Sequence, residues 1–414
     1  MIDPIVVTGI GVVSPAGIGI ENFWSSVIDG RPSCSVNDLF PLAMNTSRAV
    51  GLIRNFAPES SFSISRPVTP LEHDRLCIIA RAAIDEAVES AGLSNLQGCS
   101  FLDETALYIS SAIGPMASME KVISSRCSGG DVYDGVNSFL LSNFILHLVR
   151  HTRIGGAYAL IPTGCTGGCD ALGYAMAAIR DGVTRRAIVG SFDAPITPMV
   201  VAAFARINAT SNRDCPAEEA SAPFQLDRDG FVLGEGGGAL VIESLSAALE
   251  RKAQPLAVIA GYGSVNSAFH MTDIEPSGKP IVRSILTALK DATLQAEDID
   301  HINLHGSSTL QNDIAETNAV MEVFGNRGSR IPVSSLKSQI GHALSASNSM
   351  ELIAGVLSLR QGVIFPTINQ RNRDPDCNLN IVQKAEYGTI NHILKTASGF
   401  SGIHSAVVLS RYEA

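Results

Sequence analysis

The sequence predicts an α/β protein built from two similar halves, and three observations point there. Segments of strand and helix character alternate along the whole chain, with no low-complexity stretch or long linker. Two pairs of segments rhyme: Ile5-Val6-Val7-Thr8-Gly9-Ile10-Gly11 with Ala257-Val258-Ile259-Ala260-Gly261-Tyr262-Gly263, and Ile179-Arg180-Asp181-Gly182 with Leu359-Arg360-Gln361-Gly362. The rhymes suggest a duplication whose halves, 1–250 and 251–414, meet near Glu250. The residues that carry chemistry sit where strands give way to turns, which is where α/β proteins place their ligand crevices.

Element by element, short apolar runs predict strands over 5–9, 105–110, 187–191, 238–242, 256–262, 301–304 and 406–410. Longer apolar patterns of helical period predict helices over 75–91, 137–149, 170–181, 281–293 and 347–361. Gly182 and Gly362 stop two of these helices.

At 414 residues the chain holds two or three average domains or two fused halves of one core. Apolar residues make up 45% and charged ones only 17%, so much surface must be buried, in a large core or against another subunit. The net charge of −10 argues against nucleic acid as a partner. No apolar run reaches the length of a membrane span without charges or repeated glycines. Met1-Ile2-Asp3-Pro4 runs straight into the strand-like Ile5-Val6-Val7-Thr8, which is not a signal peptide. With eight cysteines and no C-x-x-C pair, the simplest expectation is reduced thiols and a cytoplasmic protein. Cys165 and Cys169, or His147 and His151, each share a helix face, but neither pair has the further ligands of a closed metal site, so no metal is expected.

The most telling stretch is Ile161-Pro162-Thr163-Gly164-Cys165-Thr166-Gly167-Gly168. An apolar run leads in and a small-residue helix leads out, which places the Cys165 sulfur at a helix N-terminus. A free thiol titrates near 8.5. A helix-dipole contribution of roughly 1 kcal/mol would lower that by a little under one unit. The flanking glycines would let a substrate approach the backbone closely. Cys165 thus reads as a covalent catalyst, with a buried structural cysteine as the alternative.

Two histidines end strands in the second half: His305 in Ile302-Asn303-Leu304-His305-Gly306-Ser307-Ser308-Thr309, and His342 in Ser334-Ser335-Leu336-Lys337-Ser338-Gln339-Ile340-Gly341-His342. A thiolate takes up an acyl group as a thioester, and neutral imidazoles then donate N–H bonds to a second substrate's carbonyl oxygen as charge develops there. Lys337 is a cation that biases nearby protonation states, or simply a turn lysine. Ser398-Gly399-Phe400-Ser401-Gly402 reads either as a glycine-rich turn whose backbone N–H groups complete an oxyanion hole with that of Cys165, or as a plain hairpin turn.

In this order the motifs resemble the β-ketoacyl synthase (ketosynthase) family of the thiolase fold, from Val7-Thr8-Gly9-Ile10-Gly11-Val12-Val13-Ser14-Pro15, through Pro223-Phe224-Gln225-Leu226-Asp227-Arg228-Asp229-Gly230, to Gly399-Phe400. The resemblance implies a duplicated, five-layered αβαβα architecture and decarboxylative Claisen condensation. Cys165 looks like the nucleophile that accepts an acyl chain from an acyl carrier protein. His305 and His342 look like the pair that supports malonyl decarboxylation and stabilises the enolate, with Lys337 behind them. Phe400 matches the gating phenylalanine, whose N–H joins that of Cys165 in the oxyanion hole. Ser307 and Thr309 match contacts to the phosphopantetheine arm, and Glu316 and Glu351 match supporting acids. No cofactor is implied beyond the carrier protein's phosphopantetheine.

Thr163-Gly164-Cys165-Thr166, Asp193-Ala194-Pro195, Ala268-Phe269-His270-Met271-Thr272 and His305-Gly306-Ser307-Ser308-Thr309 look most like the ketosynthase (alpha) subunit of type II polyketide synthases. That implies a heterodimer with a thiol-less chain-length-factor subunit. The alternatives are a homodimeric fatty-acid 3-oxoacyl synthase and a non-catalytic partner subunit. Two departures stand out. Ser401 replaces a glycine of the family's Gly-Phe-Gly-Gly turn, which narrows that turn's range and is expected to slow the gate or reshape the tunnel. Ser345-Ala346-Ser347-Asn348 replaces the usual Gly/Ala-rich run after His342.

Overall fold

The computed structural model describes residues 3–42, 46–56, 70–93, 104–129 and 136–413. Ile5–Ser14 lies beside Gly236–Ser244, then Arg186–Asp193, Thr105–Ser110 and Tyr158–Leu160. The pairings along this run are antiparallel, antiparallel, parallel, parallel. Ala257–Asn266 lies beside Ile403–Ser410, His392–Ser398, His301–Asn303 and Pro332–Ser334, with the same succession of senses. The two runs join where Ile5, Val6 and Val7 pair antiparallel with Ile259, Val258 and Ala257.

Five layers result. Gly167–Arg180 and Ala346–Gln361 are sandwiched between the two runs of strands, sharing one core with Leu240, Ile242, Ile393 and Val407. Ala346–Gln361 is buried on every side from Ala346 to Leu359. Arg75–Ser90 covers the outer face of one run; Lys279–Ala292 and Leu310–Phe324 cover that of the other. Asp74 starts the first of these outer helices by accepting the Leu76 N–H at 2.9 Å.

The sequence rhyme has a steric cause. A Cβ at Gly9 or Gly11 would fall 2.3 or 2.2 Å from the carbonyl oxygens of Ala87 or Ala83. A Cβ at Gly261 or Gly263 would fall 2.3 or 2.4 Å from those of Ala288 or Ser284. In each half a central strand therefore runs in direct backbone contact with its outer helix.

One expected helix needs correction. The segment over 137–149 begins later, at Leu141, and runs to Thr152, with Val136–Ser138 a separate 3₁₀ turn. Cys99 lies outside the described residues, and the other seven cysteines are free thiols. Among the described residues no helix is long and apolar enough to cross a membrane.

Candidate active site

Cys165 lies in the 3₁₀ turn Gly164–Thr166, directly before Gly167–Arg180. Gly164 takes φ +62, a left-handed conformation that suits glycine. The next two glycines do not serve substrate access, as their sequence suggested. Cβ atoms there would strike side chains: the Ser110 Oγ at 1.9 Å from Gly167, the Ser191 Oγ at 2.5 Å from Gly168. Asp170 fastens the turn to the other half. It accepts from Thr163 and Thr166 at 2.5 and 2.7 Å, and from Tyr262 and Ser405 at 2.7 and 2.5 Å.

The second half supplies the imidazoles. The backbone N–H groups of His305 and Gly306 donate to the two oxygens of buried Glu316 at 2.8 and 2.7 Å. Thr396 also donates to Glu316 at 2.7 Å, and the Lys337 ammonium donates to the His305 carbonyl at 2.9 Å. His342 follows Lys337–Ile340. Its N–H donates to the Val232 carbonyl at 2.7 Å and its Nδ1 lies 3.2 Å from the Ser347 Oγ. The two rings meet edge to face, 5.1 Å apart, and Phe231 packs on His342 at 5.2 Å. Beneath them Glu351 is gripped by two buried lysines, Lys337 at 2.5 Å and Lys395 at 2.8 Å.

Cys165, His305, His342, Phe400, Ser307 and Thr309 all line one cavity of about 290 Å³. Lys337, Glu316 and Glu351 stand behind it. The Gly399-Phe400 turn closes over the sulfur: a Cβ at Gly399 would come 3.5 Å from the Cys165 nitrogen, and the Phe400 N–H is near enough to the thiol to favour its charged form. Ser307 and Thr309 share a hydroxyl bond of 2.8 Å.

Burial dominates the electrostatics. It holds both imidazoles well below their usual range, helped by the nearby Lys337 charge, so both are neutral. The Lys337 ammonium is also pushed down by burial, with Glu351 pulling it back. The expected lowering of the thiol is reversed: burial pushes Cys165 up to about 12, against the pull of Lys337 and the Phe400 N–H. A dipole contribution of about one unit does not offset the loss of water around a thiolate. Cys165 rests as a thiol and needs a proton acceptor when it attacks. Burial likewise lifts Asp193 to about 7. That carboxyl accepts from Ser111 at 2.8 Å and from the Ser345 N–H at 2.9 Å, bracing the turn after His342. In the sequence neither Asp170 nor Asp193 takes a role in the site; Asp193 enters there only within the Asp193-Ala194-Pro195 motif.

Ser401 occupies φ +68, a region that costs a side chain about 1–2 kcal/mol. The strain belongs to the conformation seen here. It therefore favours any rearrangement that takes residue 401 out of the left-handed region, opposite to the slower gate expected from the sequence. Ser401→Gly is expected to raise stability by about 1 kcal/mol, read in chemical denaturation. An unchanged or lower midpoint would contradict this.

The chain matches two family descriptions, "Beta-ketoacyl synthase, N-terminal domain" over residues 2–248 and "Beta-ketoacyl synthase, C-terminal domain" over 256–371. It is 37% identical to the tetracenomycin polyketide synthase ketoacyl synthase alpha subunit of Streptomyces glaucescens, covering 98% of this chain and 97% of that one. A ketosynthase solved in complex with its type II polyketide synthase acyl carrier protein superposes with TM-score 0.91 at 34% identity, covering both chains fully. The ishigamide ketosynthase/chain length factor superposes with TM-score 0.91 at 28% identity, again over both full chains. Matched in both halves and across the whole fold, the chain belongs to the β-ketoacyl synthase family of carbon–carbon bond-forming acyltransferases.

Proposed function

We propose that this chain is the catalytic ketosynthase subunit of a cytoplasmic type II polyketide synthase. It condenses malonyl units, carried on the phosphopantetheine of an acyl carrier protein, with a chain held on Cys165, and it works beside a chain-length-factor subunit. The observation that carries the reading is one cavity lined by Cys165 from residues 1–250 and by His305, His342 and Phe400 from residues 251–414.

In the loading step the Cys165 sulfur attacks the acyl thioester of the carrier protein. A neutral imidazole takes the thiol proton and returns it to the departing pantetheine sulfur, so no net proton is consumed. Ser307 and Thr309 hold the incoming arm. In the second step the malonyl carboxylate leaves as CO2, and its bonding pair becomes an enolate. The N–H groups of His305 and His342 stabilise the enolate oxygen, and the enolate carbon bonds to the Cys165-bound acyl carbon. The N–H groups of Cys165 and Phe400 take the resulting oxyanion. Collapse breaks the carbon–sulfur bond and releases the thiolate, which takes one proton from water, so each condensation consumes one proton per CO2 released. Lys337, Glu351 and Glu316 fix the imidazole backbones and bias their protonation.

Purified chain, malonyl-loaded carrier protein and a thiol-less partner subunit test the reading. Elongation is expected only when both subunits are present, as followed by product mass. Full-rate elongation by the chain alone would overturn the heterodimer and favour a homodimeric fatty-acid synthase.

A further inference from the structure

The run after His342 is polar where it is most enclosed. Ser345, Ser347 and Asn348 are each at most 1% exposed. Polar side chains in such a place need partners; Ser345 bonds to Ser110 at 2.7 Å, and the partners of Ser347 and Asn348 are the catalytic turns. Asn348 donates from Nδ2 to the Cys165 carbonyl at 2.6 Å and to the Ser345 carbonyl at 3.2 Å. Its Oδ1 accepts from the Cys169 thiol at 3.4 Å. Ser347 accepts the Ala343 N–H at 2.9 Å, which leaves its hydroxyl proton for His342 Nδ1 at 3.2 Å.

The two halves are cut to fit this arrangement. A Cβ at Gly168 would come within 2.8 Å of the Asn348 Cβ, and one at Gly167 within 2.8 Å of the Ser345 Oγ. The glycines after Cys165 leave room for Ser345 and Asn348, as they do for Ser110 and Ser191. The departure from a Gly/Ala-rich run thus has its counterpart in the nucleophile motif.

Resting on the roles proposed for Cys165 and His342, we propose that Asn348 and Ser347 are positioning residues with separate clients: Asn348 clamps the Cys165 turn, and Ser347 fixes the His342 tautomer that carries its proton on Nε2. The clamp holds the Cys165 peptide so that nearby N–H groups aim at the sulfur. Without it those donors lose alignment, the thiolate is less stabilised, and the sulfur reacts more slowly. The tautomer matters later. With Nδ1 accepting from Ser347, the other nitrogen presents its N–H, the form that stabilises an enolate.

The test is a double dissociation on the full chain with its partner subunit. Iodoacetamide alkylation of Cys165 is followed across pH by peptide mapping, with exposed Cys127 as the internal reference. Asn348→Ala is expected to slow Cys165 alkylation about fivefold and to move its pH profile upward, at unchanged Cys127 rate. Asn348→Ser, too short to reach the carbonyl but gentler on folding, is expected to do the same. Ser347→Ala is expected to leave alkylation and acyl loading within about twofold while cutting condensation about tenfold, with Ser347→Thr restoring it. Wild-type alkylation in both Asn348 variants would overturn the clamp. Equal loss of alkylation and condensation in Ser347→Ala would overturn the separation of clients. Acyl loading at a residue other than Cys165 in the unmutated protein would instead overturn the functional reading beneath.

Discussion

Replacing Cys165 by alanine is expected to abolish acyl loading altogether. Intact-mass measurement after incubation with an acyl carrier protein substrate should show no adduct, and condensation should fall by about 10³-fold or more. The loss should be complete because no neighbour can substitute. Cys169 is one helical turn away, but it is fully buried, its thiol donates to Asn348, and it does not line the cavity that holds Cys165. A variant that still loads at the unmutated rate would remove Cys165 from the mechanism.

Replacing either His305 or His342 by alanine should give the opposite pattern. Each variant is expected to load acyl groups, since either imidazole suffices to relay one proton, yet to condense about 10²–10³-fold more slowly. In the proposed roles both imidazoles donate to the enolate oxygen, and an alanine leaves one of its N–H partners missing. Loading is read by mass and condensation by product formation in the same samples. Full condensation by either variant would take that histidine out of the chemistry. The neutral state adds a sign for pH. Both imidazoles titrate well below 6.5 in the folded chain and near that value when unfolded. Below about 6.5 the unfolded state binds protons that the folded state does not, so each histidine lowers stability progressively as pH falls.

Much of this was legible in the sequence because local chemistry dictates it. Gly9 and Gly11 rhyme with Gly261 and Gly263 because both central strands touch a helix backbone, a constraint written one residue at a time. A strand, a glycine at positive φ, a sulfur and a helix also need only neighbouring residues. The rest depended on contacts between distant segments. The helix Leu310–Phe324 was missed because its inward positions include Asn312, Asp313 and Glu316, which break the apolar period. Asp170 looks like an ordinary first-turn acid until Tyr262 and Ser405 arrive from the other half. The thiol's direction of shift was misjudged because a dipole is visible in a sequence and desolvation is not.

The strand Ile403–Ser410 lies inside the sheet, between His392–Ser398 and Ala257–Asn266, and the turn before it covers the sulfur. During synthesis the thiol therefore leaves the ribosome long before anything can use it. Its imidazoles follow, and its cover comes after both. A chain shortened by even this one strand would still carry the thiol and both imidazoles, but would lose the strand that anchors the Phe400 turn over the sulfur.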